Sequence, residues 1–272
     1  MSKNLGILPQ LYSRPLVHHL GNSAGFHLVM GSPATNAVRL RDHELSAALV
    51  SPLDYARETS HSKLIPGVAV ASEGRGSVVT LHFREGLQSI TTIAVDPSST
   101  GEIVLAKIIL AEEFDSHPTI IPVIGGLEEM LTRADSALVV GIDQVHGAAG
   151  HANMMDLIEA WTDMTRLPYV HAVWCARIDD ITEPEIATIA GPQALIAGSI
   201  DALASEANPE HALAVRDYLD FFTYTMTEET EIGMTEFFRY AYYHGILPDI
   251  PELLFFGRDE DSPDRSASVS PN

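Results

Sequence analysis

The chain has 272 residues, enough to bury a large core as one domain or two, and 46% of them are apolar. That share argues against a disordered chain, and no apolar run approaches the roughly 18 residues of a membrane-spanning helix. A formal net charge of −21 with only three lysines argues against nucleic acid and anionic membranes as partners, so any anion site has to be built locally.

In chain order, residues 5–8 read as a short strand and 15–20 as a helix. Residues 26–30 form a strand, and Ser32-Pro33 pairs an N-cap with proline at the first helical position, opening a helix to Arg41. Residues 47–50 are a strand, and Ser51-Pro52 repeats the device for a helix to about Glu58. Strands are predicted at 68–71, 77–83 and 90–95. Asp96-Pro97-Ser98-Ser99-Thr100-Gly101 then opens a helix to Glu113. Strands at 119–123 and 137–140 flank a short helix at 127–133. Leu157, Trp161 and Met164 share one helix face, Leu167-Pro168 stops that helix, and 169–174 is a buried strand. Residues 176–245 read as helices, with starts at Thr182-Glu183-Pro184 and near Asn208-Pro209-Glu210, and 258–272 is a polar, disordered tail. Strands alternating with helices predict a mostly parallel α/β sheet.

The run from Asp156-Leu157 through Trp161 to Thr165-Arg166-Leu167-Pro168-Tyr169-Val170-His171-Ala172-Val173-Trp174 carries more than periodicity. It resembles the Asp-Leu…Trp…Thr-Gly-Leu-Pro-Phe-Val-Phe-Ala-Val-Trp signature of the menaquinone-biosynthesis family of the futalosine route, whose best-known branch is chorismate dehydratase. Arg166 stands at the family's Gly and His171 at its second Phe. The resemblance extends over about residues 6–256. It implies a two-lobed periplasmic-binding-protein-like fold (type II) with a helical C-terminal region. Lobe 1 would hold 1–86 plus 175–257 and lobe 2 would hold 87–174, with crossing strands near 83–88 and 174–177. Ligand would lie in the cleft between them.

Several turns read as site candidates. Free N–H groups and hydroxyls at Ser98, Ser99 and Thr100 make an anion site or a plain helix cap. The family's similar turn holds a substrate carboxylate. Glycines on both sides of Arg75 read as a hairpin or as a close backbone approach to ligand. Ser77 matches a pocket-facing serine of the family, and Arg75 is read first as a solvated turn residue. Ser51 caps its helix and also matches a pocket-floor hydroxyl. Tyr12 stands where the family has a substrate-facing Asn implicated in catalysis, and Arg14 replaces an apolar residue. With Ser77, Tyr12 is a catalytic candidate. His171 is a substrate-binding candidate or a core histidine. Asp143, displaced by Ile142 from the family spacing, is expected to buttress the cleft. His146 is a weaker candidate.

The 12 histidines suggest a metal, but His18-His19 cannot share a helix face, and His146 and His151 lie in no metal-ligand pattern. No metal is expected, and in the absence of a nucleotide-binding loop no cofactor either. The implied reaction is loss of water from chorismate to give 3-[(1-carboxyvinyl)oxy]benzoate, driven by aromatisation. The expected partner is a small anionic carboxylate, and monomer and homodimer are both left open. The single cysteine, Cys175, allows no internal disulfide, and the first twenty residues lack a secretory apolar stretch, so a cytoplasmic protein is expected. The alternatives are a cytoplasmic small-carboxylate-binding protein, or a lyase on another cyclic carboxylate, that has lost the family activity. The acid-rich, lysine-poor composition also suggests a salty habitat.

Overall fold

The computed structural model describes residues 2–22, 25–57, 62–141 and 153–258. Two five-stranded mixed sheets carry the chain. The first has the order β2-β1-β3-β10-β4 and the second β7-β6-β8-β5-β9. The strands are β1 (Lys3–Ile7), β2 (Phe26–Met30), β3 (Ala47–Val50), β4 (Ser62–Ser72), β5 (Val79–Phe83), β6 (Thr92–Val95), β7 (Thr119–Pro122), β8 (Ser136–Val140), β9 (Met154–Asp156) and β10 (Tyr169–Arg177). In each sheet three parallel strands are followed by two joined antiparallel: β1 pairs parallel with β2 and β3, and β10 runs antiparallel to β3 and β4. Likewise β6 pairs parallel with β7 and β8, and β5 runs antiparallel to β8 and β9.

This membership corrects the expected crossing points. Residues 79–83, expected in the first lobe, lie in the second sheet, and residues 169–174, expected in the second lobe, lie in the first. The chain leaves the first sheet after Ser72 and returns at Tyr169, so it passes between sheets at 73–78 and before 169, not at 83–88 and 174–177. The physical reason is pairing. Every residue of β10 is buried, between β3 and β4, and a run buried on both faces does not reveal which sheet takes it.

Local sequence chemistry explains most boundaries. Helix α1 (Arg14–Val17) is a single turn followed by 3-10 turns over His18–Asn22. Helix α2 (Pro33–Arg41) starts as predicted, with the Ser32 hydroxyl accepting from Thr35 N–H at 3.2 Å. Helices α3 (Pro52–Arg57) and α4 (Thr100–Phe114) follow β3 and β6, and α5 (Leu127–Arg133) precedes β8. Strand β4 starts at Ser62, ahead of the expected 68–71, and runs through Pro66 and Gly67. Its register against β10 slips between Cys175↔Leu64 and Val173↔Ala69, so Pro66 sits in an irregularity that needs no ladder N–H.

Helix α6 (Leu157–Thr165) ends with Arg166 in the left-handed region at φ 61°, the conformation a glycine at that position adopts without strain. Its Trp161 is fully buried. The indole meets Tyr169, Phe237 and Tyr240 edge-on at 6.2, 6.2 and 5.8 Å, and Nε1 donates to the Pro168 carbonyl at 3.3 Å.

The remaining helices are α7 (Glu183–Ala190), α8 (Gln193–Glu206), α9 (Ala212–Asp220) and α10 (Glu228–Tyr243). Helix α10 packs on β10 of the first sheet and reaches α4, the helix that follows β6 of the second. One core runs through the molecule, with a smaller apolar cluster of Ala94, Leu127, Met130, Ala137 and Val139 under α5. Among the described residues no single helix is long and apolar enough to cross a membrane. The bent pair α7–α8 passes that test by length and composition only.

Candidate functional site

Two helix starts face each other where the sheets meet. In the first, the Ser51 hydroxyl accepts from Asp54 N–H at 3.2 Å and donates to Asp54 Oδ2 at 2.6 Å. In the second, the Thr100 hydroxyl, on the first residue of α4, reaches across and donates to the same Asp54 Oδ2 at 3.1 Å. Gly101 permits this approach. A Cβ there would lie 3.2 Å from the Tyr169 hydroxyl and 3.4 Å from Ser51 Cβ, tighter than ordinary contact. Asp54 and Glu102 both occupy the third position of their helices, and both are buried. Burial pushes the Glu102 carboxyl up to about 7, its own backbone N–H opposes the rise, and the Asp54 charge adds to it. Burial also raises Asp54, against the hydrogen bonds from Ser51 and Thr100 and the pull of Arg57.

Beside these acids lies an aromatic box built on the first sheet. Tyr12, from a 3-10 turn over Leu11–Ser13 after β1, is 1% exposed. Its ring stands 5.4 Å from that of His171 and 5.5 Å from Phe222. Tyr169 meets His171 edge-on at 5.0 Å. Burial, then the charge of Glu102, lifts the phenols of Tyr12 and Tyr169 well above their ordinary range. Burial lowers His171 to about 3, so it is neutral at physiological pH. Its Nε2 lies 2.7 Å from Ser72 Oγ at the end of β4.

The first passage between sheets is pinned by Asp156. Its Oδ2 accepts from the N–H groups of Gly76 (3.1 Å) and Ser77 (2.7 Å), while Oδ1 caps α6 by accepting from Ile158 and Glu159. Gly74 N–H donates to the Thr162 hydroxyl at 2.9 Å. Ser77 adopts φ 52°, and a Cβ at Gly76 would run into the Phe221 ring.

The structure therefore brings Ser51, Thr100, Tyr12 and His171 into one assembly. Ser77 lies at its margin on the crossover, joined through Gly76 to Phe221 and so to Phe222, which stacks edge-on with Phe221 at 5.7 Å. Ser98 stays in the preceding turn with its N–H held by Asp96 Oδ1 at 2.8 Å. Ser99, the N-cap of α4, makes no side-chain cap bond. Arg75 is exposed beside Glu159, 3.9 Å away, in keeping with a solvated turn residue. Asp143, His146, His151 and the 259–272 tail lie outside the described residues.

Sequence reading missed Asp54, Glu102, Ser72, Tyr169 and Asp156. The two acids carried a legible signal, since Ser51-Pro-Leu-Asp54 and Ser99-Thr-Gly-Glu102 both fit the Ser-x-x-acid pattern of a helix start.

A family model described as menaquinone biosynthesis matches residues 3–243. The chorismate dehydratase of Thermus thermophilus is 26% identical over 253 residues, covering 85% of this chain and 92% of the relative. Among solved structures, the Archaeoglobus fulgidus protein AF1704 matches with a TM-score of 0.65 at 18% identity, over 90% of this chain and 98% of that one. The periplasmic aliphatic sulphonate binding protein SsuA from Escherichia coli matches with a TM-score of 0.63 at 13% identity, over 93% and 95%. These likenesses show an α/β, periplasmic-binding-protein-like fold. With the family model spanning nearly the whole of it, the chain belongs to the menaquinone-biosynthesis family.

Proposed function

We propose that this chain is a carbon–oxygen lyase of the chorismate dehydratase type. It converts chorismate to 3-[(1-carboxyvinyl)oxy]benzoate in the futalosine route, as a divergent member with Tyr12 at the family's Asn position. The observation that carries the reading is the Asp54–Thr100 contact, which joins the helix starts of the two sheets around buried acids and hydroxyls. Family membership and the Thermus thermophilus relative support it. In this reading the two sheets are the cores of two lobes, parting about the passages at 73–78 and before Tyr169, and chorismate enters between them.

The chemistry follows from the groups present. The N–H groups at the start of α4, with the hydroxyls of Ser98, Ser99 and Thr100, receive one carboxylate. Ser51, Ser77 and His171 hold the remaining polar atoms. Asp54 accepts from the Thr100 hydroxyl that a substrate carboxylate would take. The ring hydroxyl leaves with a proton, and Glu102, half-protonated near neutral pH, is the group placed to give it. The ring C–H proton passes to Asp54 or to a carboxylate of the substrate itself, so that water is lost and the ring becomes aromatic. No organic cofactor enters this scheme.

Incubation with chorismate tests the reading, with chromatography of the aromatic product. Formation of 3-[(1-carboxyvinyl)oxy]benzoate supports it. Chorismate bound tightly but recovered unchanged replaces it with the carboxylate-binding reading, which the burial of Tyr12 at the family's catalytic position favours.

A further inference from the structure

Two rings of the box, those of Tyr12 and His171, pack at 5.4 Å. Both side chains are almost wholly enclosed. His171 Nε2 is bonded to Ser72, whereas its Nδ1 is buried with no hydrogen-bond partner among the described residues. In the neutral ring one nitrogen carries a proton and the other a bare lone pair. Whichever tautomer holds, Nδ1 keeps an unused donor or acceptor. A buried polar atom without a partner is uncommon enough to need a cause, and one cause is a ligand atom that satisfies it.

The surroundings say where such an atom would come from. Tyr12, Tyr169, Ser72 and Phe222 belong to the part of the chain built on the first sheet. The first turn of α4, from the second sheet, lies over them: Gly101 abuts the Tyr169 hydroxyl, and the Glu102 charge acts on Tyr12 and Tyr169. Ser72 and Tyr169 are register partners in the β4–β10 ladder, so the Ser72–His171 bond stays within one sheet. The bond that fixes the imidazole therefore does not depend on α4.

We propose that His171 Nδ1 makes the hydrogen bond by which this cleft reads a polar atom of the ligand, with the Tyr12 ring packed beside it and Ser72 as the positioning residue that holds the imidazole. The assignment rests on the dehydratase reading of the same cleft and sharpens it.

Three substitutions separate the two nitrogens. His171→Asn keeps a polar atom near the δ position and loses the ε one. His171→Gln reaches the ε position and keeps a partner for Ser72. His171→Phe has neither. Binding of 3-[(1-carboxyvinyl)oxy]benzoate is measured by calorimetry and chorismate turnover as kcat and KM, with thermal unfolding to confirm that each variant is folded. The assignment predicts that Asn stays within a few-fold of wild type while Gln and Phe bind about ten- to a hundredfold more weakly, the span of one lost hydrogen bond in a buried site.

In wild type the imidazole 15N signal of Nδ1 should shift on adding the product, with Nε2 little changed. Gln retaining binding where Asn loses it overturns the proposal, because the role would then lie in the Ser72 bond. So does equal binding by all variants. Wild type that binds the product without turning over chorismate removes the dehydratase reading, and the Asn/Gln order in binding still decides the Nδ1 assignment. Wild type that binds neither compound overturns both.

Discussion

Replacing Glu102 by Gln should make the protein more stable at pH 8 and leave it unchanged near pH 4.5. Glu102 is buried at the third position of α4, and burial holds its carboxyl near 7, against an ordinary value of 4.5. The folded state therefore keeps a proton that the unfolded state has released between those values. Stability falls as pH rises through that window, and the loss is complete above about 7. At 1.36 kcal/mol per pKa unit the gap is worth about 3 kcal/mol. Gln is nearly the same size and never ionises, so the variant escapes that loss. Urea unfolding of both proteins from pH 4.5 to 8 gives the difference at each pH, and shared effects of the net charge cancel in it. The difference should open from near zero to about 3 kcal/mol with unchanged m-values. Parallel stability curves across the window would refute the assignment of a buried, proton-holding Glu102, and with it the acid role proposed for that residue.

The same two acids make anion binding proton-linked. Entry of a dicarboxylate beside Asp54 and Glu102 should take up protons, so affinity for 3-[(1-carboxyvinyl)oxy]benzoate should rise as pH falls from 8 to 6. Calorimetry in buffers of different ionisation enthalpy reads the uptake directly, and a pH-independent affinity counts against it. Thr100→Val keeps the shape of the α4 start and removes the hydroxyl that now donates to Asp54; affinity for the same compound should drop by about 1–3 kcal/mol. Unchanged affinity would return that turn to plain helix capping. Arg166→Gly should stabilise the fold by about 1 kcal/mol, since it relieves a left-handed arginine whose contact with Asp163 is solvent-exposed. A lower thermal midpoint would contradict this. If the acidic composition is an adaptation to salt, stability should climb steadily with KCl, and a flat response argues against that origin.

Elements governed by their own residues were legible before any fold was known. Ser32-Pro33 places the start of α2, Leu167-Pro168 ends the signature helix, and α5 spans the residues expected of it. Such signals are local, because a cap or a proline acts within one turn of chain. The family signature carried the fold as well, and in the structure its Trp161 packs on Tyr169 and donates to the Pro168 carbonyl. The three-residue β9 escaped notice because so short a strand has no period to read.

The site was legible only in part. Ser51 and Thr100 stood out as hydroxyls at helix starts, but nothing in the sequence says that both reach one carboxylate, Asp54. The burial that lifts Glu102 and lowers His171 comes from chain segments tens to hundreds of residues away, and desolvation is a property of the packed whole. Sheet membership has the same origin. The largely apolar run of β10 specifies a strand buried on both faces, and only hydrogen-bond pairing with distant strands assigns it and β5 to their sheets. Helix starts, strand runs and the family pattern belong to the sequence by itself. The crossings, the carboxylate pair and the enclosed His171–Tyr12 contact belong to the tertiary structure, because burial and long-range pairing exist only once the two sheets have met.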